Sequence, residues 1–359
     1  MNIIITSPSL DSTVNVSGIS SVTSFIIDNN PEHNYIHFKL GRGDHDKRKL
    51  LVALKILKAY SLWLFLMIFK KNIFIHFNLP LEKRSIIRDV LLILTARFLR
   101  KRMLIHLHGG EYLMKKNGSH WIDFIIKIIL TGNETKIALS QIEKDSIIKK
   151  YSATNVEVLA NCPDLTEAQK YKRIYLHQNP LRLLFMGRIV ERKGLHVIFY
   201  ALKLLKEKGI SFKFYLAGAG HDEVKYVNKF NELLGTSFEF KGVVTGKMKS
   251  ELMSCSDIFL LPSLCGEGLP MSLLESMSFE IAPIVTNDGS MSNVIKSGEN
   301  GILVEKGSVS SLENAILSFI NDKMFLEKIA KNARNYVFEN HDATEYIKQL
   351  NTLYGKDYS

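Results

Sequence analysis

At 359 residues, 46% of them hydrophobic, the chain has the length for two domains of ordinary size and the apolar material for two cores, with no low-complexity tract. The net charge of +11 is concentrated: residues 1–170 hold 24 Lys and Arg against 15 Asp and Glu, and Lys47 to Lys116 alone hold 16 against 3. Three cysteines, Cys162, Cys255 and Cys265, show neither metal spacing nor an even-numbered framework, which excludes a disulfide scaffold and fits a reduced, cytosolic setting.

The start, Met1 to Pro8, lacks the basic region and long apolar run of a signal peptide and reads as a first buried strand. Short apolar runs then alternate with helix-length segments: Asn2–Thr6, Tyr35–Phe38, Ile73–Phe77, Met103–Leu107, Ile137–Ser140 and Val156–Leu159. Such alternation predicts a parallel sheet covered by helices. Ser17-Gly18-Ile19-Ser20 opens the first helix. Leu50 to Phe69 is the most apolar segment, but Lys55 and Lys58 leave only about ten uninterrupted apolar residues against the roughly 20 a membrane span needs. It reads as a buried helix. Lys83, Arg84, Arg88, Arg97, Arg100, Lys101 and Arg102 lie on and around the next predicted helix, and so lopsided a sign suggests a face that docks onto anionic lipid. An acidic or phosphorylated substrate also fits the charge. Nucleic acid fits less well, because no aromatic residues interleave with the cations in a recognisable module.

Ile105-His106-Leu107-His108-Gly109-Gly110-Glu111-Tyr112 ends a strand on a double glycine, with polar groups left at its carboxyl end. In open α/β sheets ligands sit there, which makes His108 a candidate site residue; His106 shares its side of the strand. His106, Glu111 and Tyr112 are candidate acceptor contacts. The polar stretch Thr166 to Pro180 reads as a linker.

The second half repeats the alternation at Leu181–Met186, Phe212–Ala217, Phe238–Phe240, Ile258–Leu261, Ala282–Val285 and Gly301–Val304. After Leu181–Met186 the chain breaks at Gly187, and Arg188 and Lys193 sit in the loop before a helix; two cations beside a close-approach glycine suit a diphosphate. Leu216-Ala217-Gly218-Ala219-Gly220 invites a dinucleotide reading, but the third glycine of that fingerprint falls at Glu223, which excludes NAD. Gly218 instead forms a tight turn flanking a nucleotide. Leu261 to Met277 reads strand, loop, helix N-terminus, with Glu267 in the loop and Glu275 eight residues on, about two helical turns along. A helix N-terminus binds anions, and a glutamate beside it suits a ligand that also has hydroxyls. A sugar nucleotide has both.

Gly187-Arg188 with Lys193-Gly194, then Pro262-Ser263, Gly266-Glu267-Gly268-Leu269-Pro270 and Glu275, resembles glycosyltransferase family 4 across roughly Leu181 to Val304. The resemblance implies a GT-B fold: an α/β protein of two Rossmann-like, doubly wound parallel-sheet domains facing across a cleft. The domains are expected at 1–172 (acceptor) and 173–336 (nucleotide-sugar donor), with 337–359 a helix returning to the first. It further implies a retaining transfer from a UDP- or GDP-sugar to a saccharide or lipid-linked acceptor. Arg188 and Lys193 would stabilise the diphosphate, Glu267 and His108 would face the donor sugar, and Gly268, Leu269 and Pro270 would supply the helix start. Glu275 would hold the ribose, and Gly18, Gly187, Gly218 and Val243 would line the donor. The family usually has a double glycine where this chain has Ser17-Gly18, and Asn-Gly-Val-Asp where it has Asn161-Cys162-Pro163-Asp164. No Asp-x-Asp pair occurs at this site and cations take that place, so no metal is expected. A nucleotide-sugar epimerase and a non-catalytic binding subunit remain the alternatives.

Overall fold

The computed structural model describes residues 1–11, 14–15, 17–41, 49–114, 119–174 and 180–356. Part of the linker read from sequence, residues 175–179, and Lys47, Arg48, Lys115 and Lys116 of the basic stretch lie outside them. Two compact units divide the chain. The first comprises Met1–Asn161, Gly266–Leu269 and Ala343–Ser359, the second Cys162–Cys265 and Pro270–Asp342.

In the first unit, strands β1 (Asn2–Ser7), β2 (Asn34–Lys39), β3 (Ile73–Leu79), β4 (Arg102–Leu107), β5 (Thr135–Ala138) and β6 (Val156–Val158) form one parallel sheet in the order β2-β1-β3-β4-β5-β6. Helices α1 (Gly18–Asn29), α2 (Lys49–Phe69), α3 (Lys83–Phe98), α4 (Glu111–Met114), α5 (His120–Leu130) and α6 (Gln141–Tyr151) connect them. Helices on both faces exclude water from the strands, which is why Ile3–Ile5 and all of β3 are buried and why these strands read as unbroken apolar runs. The chain direction across the sheet reverses between β1 and β3. Sequence patterning extends the fifth strand to Ser140, but the Ser140 side chain caps α6 by accepting from the Glu143 amide at 3.2 Å, so the strand ends earlier.

The C-terminal helix, Ala343–Gly355, is part of this unit. Tyr346 meets Phe25 edge-on with ring centroids 5.6 Å apart, Tyr354 meets Phe74 at 5.2 Å, and the Asn30 amide donates to Asn351 at 2.7 Å.

The segment read as a buried helix is α2, and there the structure corrects the expectation. Trp63 and Met67 are buried, with the indole Nε1 donating to the Leu92 carbonyl at 3.1 Å. Leu54, Leu57, Leu62, Leu64, Phe65, Ile68 and Phe69 are exposed. A helix apolar on every side meets the unit with one stripe only and leaves the rest outside. Among the described residues no helix is long and apolar enough to cross a membrane.

The second unit begins with a short helix, α7 (Thr166–Lys170), before strands β7 (Leu181–Met186), β8 (Phe212–Ala217), β9 (Phe238–Gly242), β10 (Ile258–Leu261), β11 (Ala282–Thr286) and β12 (Ile302–Val304). They form a parallel sheet in the order β12-β11-β10-β7-β8-β9. Counted from the unit's own first strand this is the 3-2-1-4-5-6 order of a dinucleotide-binding sheet, with its reversal between β7 and β10. Helices α8 (Leu195–Glu207), α9 (Glu223–Leu234), α10 (Gly246–Ser254), α11 (Met271–Ser278), α12 (Met291–Val294), α13 (Val309–Asn321) and α14 (Lys323–Asn340) surround it.

Candidate functional site

The reversal point of an open α/β sheet is a crevice, because the connections on its two sides leave in opposite directions. In the second unit β7 and β10 pair directly there, Leu183 beside Ile258 and Leu184 beside Phe259. The two loops that emerge from it carry Arg188 and Lys193 after β7, and Pro262–Cys265 after β10. Gly194 has φ +77°, and a Cβ on it would lie 2.0 Å from the Pro262 carbonyl oxygen, so no other residue lets the loops meet. Leu264 N–H donates to the Arg192 carbonyl at 2.8 Å, and Gly187 N–H to the Ala217 carbonyl at 3.0 Å. At Gly218, φ +127°, a Cβ would fall 1.9 Å from the Gly187 carbonyl oxygen. The loops after β7, β8 and β10 are therefore packed backbone against backbone, a rigid base that holds Arg188 and Lys193 half-buried at the crevice.

Pro270 caps α11 in an extended conformation, and the helix runs from Met271. Glu275 lies one turn inside it, and its carboxylate takes an ion pair from Lys249 of α10 at 2.8 Å. That proximity raises the Lys249 ammonium above its ordinary value, with Asp164 adding to the effect. Sequence reading passed over Lys249, since no motif marks it. Val243, half-buried, follows β9, and the Gly242 carbonyl accepts from the Gly218 amide at 2.6 Å.

The first unit gathers the other candidates. A column of histidines runs through the sheet: the Tyr354 hydroxyl lies 2.7 Å from His76 Nδ1, His76 Nε2 lies 3.2 Å from His106 Nδ1, and the His106 and His108 rings meet at a tilt of 37° with centroids 4.2 Å apart. Burial pushes His76 and His108 down to about 3, and lowers His106 well below its ordinary value. All three rings are neutral at physiological pH. His108 holds its Nε2 2.6 Å from Asn78 Oδ1 at the carboxyl end of β3. Gly109, φ +67°, could carry no Cβ, which would come within 2.4 Å of the Gly268 amide nitrogen. Buried Glu267 and Leu269 flank Gly268, and the Asn161 amide donates to the Leu269 carbonyl at 2.7 Å. Gly18 begins α1 with open space where a Cβ would stand.

Two expectations need correction. Tyr112, read as an acceptor contact, is buried in the core, where its carbonyl accepts from the Tyr151 hydroxyl at 2.9 Å; its ring fills the interior beneath the loop. His106, read likewise, has no exposed surface and supports His108 from behind. Glu111 stays half-buried at the start of α4.

Residues 167–336 match the family model of glycosyl transferases group 1. The chain is 29% identical over 174 residues, 47% of its length and 44% of the relative's, to the capsular polysaccharide biosynthesis glycosyltransferase CapM of Staphylococcus aureus. It is 24% identical over 276 residues, 73% of its length and 71% of the relative's, to the UDP-Gal:alpha-D-GlcNAc-diphosphoundecaprenol alpha-1,3-galactosyltransferase of Escherichia coli. The chain spans less than half the length of several curated relatives it matches. Among solved structures, Alr3699/HepE of Anabaena in complex with UDP-glucose superposes with a TM-score of 0.75 at 16% identity, covering 99% of this chain and 100% of that one. The fold is GT-B, with two Rossmann-like units.

Proposed function

We propose that the protein is a glycosyltransferase of the family 4 type that moves a sugar from a nucleotide diphosphate donor to an acceptor hydroxyl, with retention at the anomeric carbon and without a metal. The observation that carries this reading is the β7/β10 reversal point, where Arg188 and Lys193 stand on a rigid glycine-packed base within a segment that matches group 1 glycosyl transferases. As the bond from the anomeric carbon to the diphosphate breaks, its electron pair goes to the phosphate oxygen. Preorganised cations are most effective against charge that grows in this way. Backbone N–H groups at Gly268 and Leu269 and the start of α11 at Pro270 hold phosphate and sugar oxygens, Glu267 the sugar hydroxyls, and Glu275 the ribose hydroxyls. His108 accepts from the donor sugar. Gly18, Gly187, Gly218 and Val243 line the donor. The acceptor oxygen bonds to the anomeric carbon on the face the phosphate leaves, and that phosphate takes its proton.

The UDP-glucose held by the Anabaena relative and the UDP-Gal named for the E. coli enzyme favour a UDP-sugar. The latter's diphosphoundecaprenol acceptor and the capsular relative favour a lipid-linked surface-polysaccharide acceptor. Peripheral contact with anionic membrane through the basic 47–116 region follows from the same reading. Its support is the outer side of three neighbouring helices. There α3 turns Ile87, Leu91, Leu94 and Phe98 outward, and α2 and α5 add Phe65, Ile68, Phe69, Trp121 and Phe124. The only acids on these helices, Asp89 and Asp123, are paired with Arg88 and Lys150. An apolar face that also carries exposed Lys58, Arg84 and Lys127, against two acids that are both paired, fits a bilayer carrying negative headgroups.

The test is incubation with UDP-sugars and an undecaprenyl-diphosphate-linked saccharide, with EDTA present, and the anomeric configuration of the product read by NMR. A product linked as in the donor supports the reading. An inverted product, or a need for metal, contradicts it, and an altered donor in the absence of acceptor points to an epimerase.

A further inference from the structure

Asn78 ends a chain of hydrogen bonds that decides what His108 can hold, an inference that rests on the reading of His108 as a site residue. Amide nitrogen and oxygen are distinguished by their partners, and here the partners leave no choice. The side-chain nitrogen of Asn78 lies 2.7 Å from the Thr6 carbonyl oxygen, which only accepts. It lies 3.1 Å from Thr23 Oγ1, whose one proton is already given to the Ile19 carbonyl at 2.8 Å. Both neighbours need a donor, so the amide NH2 faces them and Oδ1 is turned to His108 Nε2. The main chain of Asn78 is tied as well, its N–H donating to Thr6 Oγ1 at 3.0 Å. With the residue buried and every polar atom of the amide engaged, the oxygen has no freedom to turn away.

An oxygen that only accepts requires a proton on the nitrogen opposite it. His108 is therefore the Nε2–H tautomer, and its Nδ1 presents a lone pair. Thr6, Asn78 and His108 stand at the ends of β1, β3 and β4, three adjacent strands, with the sheet's reversal between the first two. We propose that Asn78 is a positioning residue that locks His108 in the Nε2–H form, so that the group taken at Nδ1 is a hydroxyl or other hydrogen-bond donor and not an anion. The groups that face His108 from behind, His106 and beyond it His76, are neutral rings and supply no charge that would override the lock.

The test reads the tautomer directly. Two-bond 1H–15N correlation spectra of the histidine-labelled full chain distinguish the two neutral forms and the imidazolium. The wild-type protein is expected to show His108 as Nε2–H from pH 5 to 8, and finding Nδ1–H would overturn the proposal with no variant needed. Asn78→Asp is close in size but replaces the two donated hydrogen bonds with a carboxylate that favours imidazolium; with folding confirmed by the melting temperature, His108 should begin to titrate in that window. With donor sugar, its kcat should drop by about ten- to a hundredfold, most at low pH, while donor KM stays within about threefold. A variant whose His108 spectrum and pH profile match the wild type contradicts the lock. The spectra need no turnover, so a protein that shows the lock but transfers no sugar would sink the transferase reading alone.

Discussion

The two units share an architecture and differ in what they show to the outside. Each is a six-stranded doubly wound parallel sheet with a reversal point. In the second unit the large apolar residues left exposed, such as Tyr200, Val224, Met248 and Met324, are scattered. Among the described residues the first unit turns thirteen of them outward along α2, α3 and α5, and Phe98 is 85% exposed. Their reversal points differ too. In the second unit it carries cations on glycine-packed backbone, whereas in the first the candidate rings sit beside it, on β3 and at the end of β4. One fold thus presents two different surfaces, because the sheet needs only the inner stripe of each helix and the loops only the strand ends.

The sharpest way to break this contrast is at the cations. Lys193→Ala should lower kcat by about a hundredfold or more, the scale of losing one charge-stabilising donor. Turnover near wild type in a coupled nucleotide-release assay would remove the second unit's assigned role. Next comes the outward face of the first unit. Phe98→Asp with Leu91→Asp should weaken flotation with anionic vesicles by about tenfold or more, from lost burial of two large side chains. Because both are exposed, the melting temperature should not move; unchanged flotation would leave the apolar stripe without a partner.

A gentler probe is pH. The buried histidines have folded values lowered to about 3 for His76 and His108, against an ordinary 6.5 in the unfolded chain. Their contribution is whole above pH 6.5 and is lost as pH falls toward 3, by about 1 kcal/mol per pH unit for each ring. Both tryptophans, Trp63 and Trp121, lie in the first unit, so the urea midpoint by fluorescence reports on it. That midpoint should fall between pH 7 and pH 4.5, and a flat profile would mean the rings are not buried neutral. The smallest effect is expected at Lys249→Ala, which frees Glu275 from its ion pair and should change donor affinity by no more than about tenfold, read by calorimetry.

The sheets were legible because strands buried on both faces are apolar along their whole length, as in β7 and β10, where the sequence reading and the structure agree residue for residue. The glycine-bearing loops were legible for a related reason: Gly194 and Gly218 stand where backbone meets backbone. The side-chain partnerships were not. Asn78 meets His108 across 30 residues and Lys249 meets Glu275 across 26, and neither spacing leaves a local pattern. The exposure of α2 was hidden because a helix apolar on all sides has no period to show which side faces water. Tyr112 was misplaced by its neighbours: it follows the double glycine, yet its ring turns into the core.

The central claim is that the reversal point of the second unit binds a nucleotide diphosphate sugar through its own cations. A thermal-shift panel of UDP, GDP, ADP and their sugar conjugates, each with EDTA, tests it most directly. The account predicts that one nucleotide diphosphate and its sugar conjugate raise the melting temperature in the presence of EDTA, and that Lys193→Ala reduces the shift. No shift with any nucleotide, or a shift that EDTA abolishes, would contradict it.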